Sequence, residues 1–209
     1  MAHATIENID FTLFYDYDQL RDKNLQKLTD RGKGEWFMKR MLMVFLEPLS
    51  RIFDKDSLAH IELRCSEKPE RDFMLGAFSV LLNGIESCGS FITGKEKPNK
   101  DNFNKYISEY LKVWNDTIKI KNKQKTLADI LWSNFRNSLA HGFHIKNGGI
   151  EYLDNGKLYD LKGAILVVDP KKAFGDFSNS LDQFFLDIND SQTKVGKNFI
   201  KKFNNVYPT

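Results

Sequence analysis

The chain has 209 residues, with 31 Lys and Arg against 28 Asp and Glu, a formal net charge of +3 and 41% hydrophobic residues. A chain of this length can bury a core without staples, and the near-balance of charge excludes a histone-like or membrane-coating polycation. No apolar run approaches the roughly 20 residues that span a bilayer, so no membrane partner is expected. The start MAHATIENIDF lacks the basic and apolar regions of a signal peptide. The two cysteines, Cys65 and Cys88, lie near apolar positions and read as buried thiols in a reducing cytoplasm. With no CxxC pair and no histidine cluster, neither a metal nor a cofactor is expected.

Residues 1–35 read as a polar and aromatic N-terminal extension, with partial strand character over Asp10–Tyr17 and a short helix over Gln19–Thr29, which Gly32 and Gly34 break. A buried-looking helix is expected from Glu35 to Phe53, kinked at Pro48. A second runs from Arg71 to Ile92 and carries Gly76, Gly84, Ser87, Gly89 and Ser90. Such small residues lower helix propensity, so they are read as permitting close approach of another helix. After the loop Gly94–Asn99, Asp101 is the expected N-cap of a helix whose Phe103, Tyr106, Ile107, Tyr110, Leu111 and Trp114 recur at three- and four-residue steps. Lys119–Lys125 reads as a solvated connection, and a further helix runs from Thr126 to His141.

The period then changes. Gly148–Leu153 and Lys157–Leu161 are expected to pair as a hairpin about the Asn155-Gly156 turn, followed by an apolar strand over Ala164–Val168. Asp169-Pro170 starts a helix to Ile188, and a last helix spans Gln192–Val206. The fold class is mainly α: a helical bundle over residues 36–145, with a small antiparallel β insertion and C-terminal helices over 146–209 packed on the same domain.

The most informative segment is Arg136-Asn137-Ser138-Leu139-Ala140-His141, followed by Gly142. At about 100° per residue from Leu127, Ile130, Leu131, Phe135, Leu139, Ala128 and Trp132 fill one broad apolar arc. Arg136 lies at one edge of the remaining arc and His141 near the other. Asp129, Ser133, Asn137 and Ala140 form a small polar floor between them. Asn137 and His141 are four apart and neighbours on the helix surface, so Asn137 can orient the imidazole or hold a phosphate oxygen. Gly142 suits the left-handed residue that ends a helix, which puts His141 in the last turn, where the helix dipole favours a cation. Arginine clamps phosphate with a fixed fork of donors, and histidine trades protons near neutral pH. On this wheel both side chains project from the polar arc, so replacing either by alanine is expected to change stability by no more than about 1 kcal/mol.

This hexapeptide resembles the R-(polar)-xxx-H signature of the HEPN superfamily of helical domains. Many members are metal-independent endoribonucleases in toxin–antitoxin, abortive-infection and RNA-targeting defence systems; others have lost catalysis. The resemblance covers the helical body, residues 36–145, and is specific at the hexapeptide. It implies an HEPN-like bundle, with His141 as general base or acid on RNA, Arg136 stabilising the transition-state charge and Asn137 completing the catalytic set. It also implies a cytoplasmic homodimer whose two motifs share one groove, RNA as substrate, and an antitoxin or other regulatory partner.

Ser133, His144 and Arg40 are the expected substrate-binding residues, Ser133 from the polar floor, His144 across Gly142 and Arg40 as a phosphate clamp on the first bundle helix. His3 and His60 are read as incidental. Glu86, among apolar neighbours, either pairs with an arginine for structural reasons or faces the groove. Two rival readings stand beside the ribonuclease. One is a non-catalytic HEPN-like scaffold or nucleotide-binding domain, marked by Arg136 and His141 being spent on internal hydrogen bonds. The other is a DNA-binding regulator, for which only the last helix, with Lys194, Lys197, Lys201 and Lys202, is basic enough.

Overall fold

In the computed structural model the described residues are 25–53, 69–95, 99–120, 122–142, 144–153 and 155–207. The expected strand at Asp10–Tyr17, most of the helix at Gln19–Thr29, and His3, His60 and Cys65 lie outside them. The chain is mainly helical with two small sheets.

The first helix, α1 (Asp30–Arg40), begins earlier than expected, capped by the Thr29 hydroxyl, which accepts from the Gly32 amide. Gly32 and Gly34 lie inside it rather than breaking it. Gly34 is a contact point: a Cβ there would come within 1.9 Å of Asn189 Oδ1. A π-turn, Met41–Leu46, then joins α1 to α2 (Glu47–Phe53), and the Glu47 amide bonds the Leu42 carbonyl five residues back. This wider turn falls just before Pro48, which has no amide hydrogen to donate.

The central helix is α3 (Pro69–Thr93). By length and composition its Met74–Thr93 stretch could cross a bilayer, contrary to the expectation that no run would. Here two-thirds of that stretch is buried inside the protein. Its small residues do what the sequence suggests at Gly89, where a Cβ would sit 1.9 Å from the Asn102 carbonyl oxygen. That contact lets α4 (Lys100–Tyr110) lie backbone-close to α3. The cap of α4 is Asn99, whose side chain accepts from the Asn102 amide; Asp101 instead lies in the first turn.

A short 3₁₀ turn, Lys112–Asn115, leads into β1 (Thr117–Ile120) and β2 (Lys123–Thr126). These pair as an antiparallel ribbon, where a solvated connection was expected. Thr126 then caps the next helix through the Asp129 amide. That helix is α5 (Leu127–Ile130), a π-turn (Leu131–Arg136) and α6 (Asn137–Gly142) in succession.

The second sheet corrects the expected hairpin. β3 (Gly148–Ile150) does not pair with β4 (Tyr159–Lys162); β5 (Ile165–Val168) lies between them, parallel to β3 and antiparallel to β4. Leu166, Val167 and Val168 are all buried, the pattern of a central strand covered on both faces. The tight turn back is made at Gly163, in the left-handed region at φ 67°. Asn155-Gly156 does turn the chain, with Gly156 at φ 68°, but leads it away from β3.

Two long helices complete the bundle as expected, α7 (Pro170–Asn189), capped by Asp169, and α8 (Lys194–Val206), capped by Thr193. Aromatic rings knit them to the core: Phe184 of α7 lies 6.4 Å from Phe37, and Phe199 of α8 lies 5.4 Å from Phe91. The Tyr106 hydroxyl bonds Ser180 at 2.8 Å, tying α4 to α7.

Candidate functional site

The motif helix is anchored by its apolar side. Leu131 and Phe135 are fully buried, and the Phe135 ring meets Phe78 of α3 edge-on at 5.9 Å. This packing sets Arg136 against α3. Its Nε donates to Glu86 Oε2 at 2.8 Å, and its Nη2 lies 2.7 Å from the same oxygen. The guanidinium also covers the Trp132 ring at 4.8 Å from the centroid, and Nη1 donates to Asn137 Oδ1 at 3.3 Å. The Arg136 side chain is 17% exposed and that of Glu86 3%.

Glu86 is the residue that gives this cluster its electrostatics. Burial pushes its carboxyl above the usual 4.5, and the Arg136 charge and hydrogen bond pull it part of the way back. Its second oxygen, Oε1, is buried with no hydrogen-bond partner among the described residues. Of the two sequence readings of Glu86, the arginine pair is the one found. An acid set among apolar and small residues, between Ile85 and Ser87, was the signal.

His141 is exposed, and none of its ring nitrogens has a partner among the described residues. No hydrogen bond links it to Asn137, whose carbonyl oxygen accepts from Arg136 instead. Gly142 is the last helical residue, so His141 does occupy the final turn. The motif therefore divides: Arg136 faces inward to Glu86, and His141 faces solvent.

No family model, curated protein or solved structure matches the chain.

The substrate-binding expectations separate in the same way. The Ser133 hydroxyl bonds the Asp129 carbonyl at 2.8 Å. Asn134 Oδ1 lies 2.9 Å from the same Oγ, so the one hydroxyl hydrogen already has two acceptors and is a poor match for phosphate. Ser133 and Asn134 line a pocket of about 410 Å³ whose other walls carry Lys123, Lys125 and Lys146. His144 is exposed in the connection after the motif helix. Arg40 stands apart from this cluster. Its guanidinium lies 5.4 Å from the centre of the Trp36 ring, and Trp36 packs on Phe203 and Tyr207 of the C-terminal segment.

Proposed function

We propose that the protein is a metal-independent endoribonuclease of the HEPN type. The observation that carries this reading is an exposed, unpartnered His141 in the last turn of the helix whose Arg136 is held by the buried carboxylate of Glu86. In the proposed reaction His141 takes the proton of a ribose 2′-hydroxyl as its oxygen bonds to the adjacent phosphorus. The bond to the 5′-oxygen breaks, and that oxygen receives a proton from a second imidazole, leaving a 2′,3′-cyclic phosphate and a 5′-hydroxyl. Such proton transfers supply roughly 10²–10⁴-fold each. Arg136, with donors not used by Glu86, stabilises the charge on the phosphoryl oxygens. One histidine does not serve easily as base and acid in the same step. The second imidazole is therefore assigned to His141 of another copy in a two-fold homodimer, within an HEPN-like bundle acting in the cytoplasm under an antitoxin or other regulatory partner.

The test is cleavage of RNA by the purified protein in EDTA, beside His141→Ala. Expected are cyclic-phosphate products from the parent, none from the variant, and intact DNA of the same sequence, since the 2′-hydroxyl is what distinguishes RNA. Cutting that needs a metal, or that survives His141→Ala, would falsify the mechanism. A second reading, a non-catalytic scaffold, is favoured by one observation: Arg136 is largely engaged inside the fold. It predicts that no RNA is cut under any condition.

A further inference from the structure

The β1–β2 ribbon has two faces, and its register decides what each carries. Ile118 pairs with Lys125 and Ile120 with Lys123, while Lys119 pairs with Gln124. Successive side chains point to opposite faces, so Ile118, Ile120, Lys123 and Lys125 share one face, and all four line the pocket. Across from them the motif helix contributes Ile130, Ser133 and Asn134.

The third wall is the chain after the motif helix. The Lys146 amide bonds the Asn134 carbonyl at 3.0 Å. Gly148 lies so close under Phe135 that a Cβ would come within 2.6 Å of its ring. These two contacts hold Lys146 and Asn147 over the pocket, with Asn147 in the left-handed region at φ 53°. Three lysines thus line a cavity that also presents three isoleucines and two amide side chains, with no acidic lining residue among the described residues. Asp129, whose carboxylate feels Lys125, is already held by Lys100 at 2.6 Å. The volume, about 410 Å³, falls in the range of small-ligand sites.

We infer that this pocket is a subsite for one unpaired nucleotide of an RNA strand, its phosphate held by Lys123, Lys125 and Lys146 and its base laid on Ile118, Ile120 and Ile130. The choice of RNA rests on the ribonuclease reading. The pocket chemistry itself requires an anion joined to a flat apolar group with polar edges, which Asn134 and Asn147 can read. A base must be unstacked to enter such a cavity, which selects a single strand over a duplex. Asn134 precedes His141 by seven residues, about 10 Å along a helix, or about three stacked nucleotide steps. One strand can therefore occupy the pocket and reach the imidazole.

The experiment uses the full chain with His141→Ala, so that binding is read without cleavage, and a fluorescein-labelled RNA decamer followed by anisotropy. Neutralising that one phosphate on a single strand gives a salt slope of about −0.7, or about 2.6-fold weaker binding between 50 and 200 mM salt. Adding Lys123→Ala, Lys125→Ala and Lys146→Ala together should remove that component, whereas the three Lys→Arg changes should keep it. Ala164→Trp, which fills the pocket, should weaken binding without altering the slope. The inference is overturned if the triple alanine variant binds with the parent's affinity and slope. It is also overturned if adenosine monophosphate competes as strongly as unlabelled decamer, which would make the ligand a free nucleotide. Loss of strand binding in the lysine variants of a protein that never cuts RNA leaves the subsite standing and removes the ribonuclease reading. Unchanged binding in a protein that does cut removes the subsite alone.

Discussion

Replacing Arg136 by alanine tests what the Glu86 pair does for the fold. The variant leaves a carboxylate that is 3% exposed with no counter-charge. Such a group protonates rather than stay buried and charged. Folding must then take up a proton that the unfolded chain does not hold at neutral pH. From the usual 4.5 to pH 7 this costs 1.36 kcal/mol per unit, or about 3.4 kcal/mol. That agrees with the roughly 3–5 kcal/mol found when one member of a buried pair is removed. It replaces the loss of no more than about 1 kcal/mol expected from the helical wheel, because the wheel placed Arg136 on a solvated arc. The sign follows from the direction of the Glu86 shift. Its folded carboxyl is raised, so its contribution is fully present below 4.5 and is lost as pH rises through the folded value. Arg136 limits that loss, and the variant lacks the limit. At pH 5 the same proton costs about 1 kcal/mol or less, plus a residual for the contact with Trp132. Urea unfolding followed by tryptophan fluorescence at pH 5 and pH 7 should therefore show a destabilisation that shrinks by about 2 kcal/mol at the lower pH. A loss below about 1 kcal/mol at pH 7, or the same loss at both, would refute the reasoning.

Three further outcomes are expected. His141→Ala, at an exposed helix end, should keep the parent's unfolding midpoint within about 0.5 kcal/mol while abolishing cleavage, read by gel assay beside a melt. Phe135→Ala empties a fully buried site against Phe78 and should cost about 3–5 kcal/mol in urea titration. Gly89→Ala places a methyl 1.9 Å from the Asn102 carbonyl oxygen. It should cost about 1–3 kcal/mol and weaken amide-exchange protection in α3 and α4 together; normal protection there would mean the helices slide apart freely.

What could be read from the chain was local. Asp169-Pro170 announces a helix start, and Asp169 does cap α7. The glycines and serines of α3 announce a close neighbour, found at Gly89. What could not be read depended on partners far away in sequence. Gly34 looks like a helix breaker until Asn189 is seen against it. Asn155-Gly156 looks like a hairpin turn, but the buried run Leu166–Val168 draws both neighbouring strands to itself. Lys119–Lys125 looks solvated because it is rich in lysine, and Lys119, Lys123 and Lys125 are exposed; the alternation with Ile118 and Ile120 becomes visible only once the ribbon is paired. Glu86 and Arg136 are 50 residues apart, so each alone is only a charge near apolar neighbours.

The division of the motif has a local cause that a helical wheel cannot contain. Leu131–Arg136 forms a π-turn, and the Asn137 amide reaches back five residues to the Trp132 carbonyl. One extra residue in the turn shifts the phase of everything after it, so the angular relation of Arg136 to His141 departs from that of a regular helix. Arg136 has five N–H donors, and the contacts to Glu86 and Asn137 engage Nε, one hydrogen of Nη2 and one of Nη1. Two donors are left for a phosphoryl oxygen. Arg136→Lys separates this role from the structural one. An ammonium still neutralises Glu86, so most of the stability lost in Arg136→Ala should return. Its compact charge lacks the planar fork that holds carboxylate and phosphate at once, so cleavage should stay at the level of the alanine variant. A lysine variant that folds and cuts RNA at the parent rate would mean that Arg136 supplies charge to Glu86 and nothing to the phosphate.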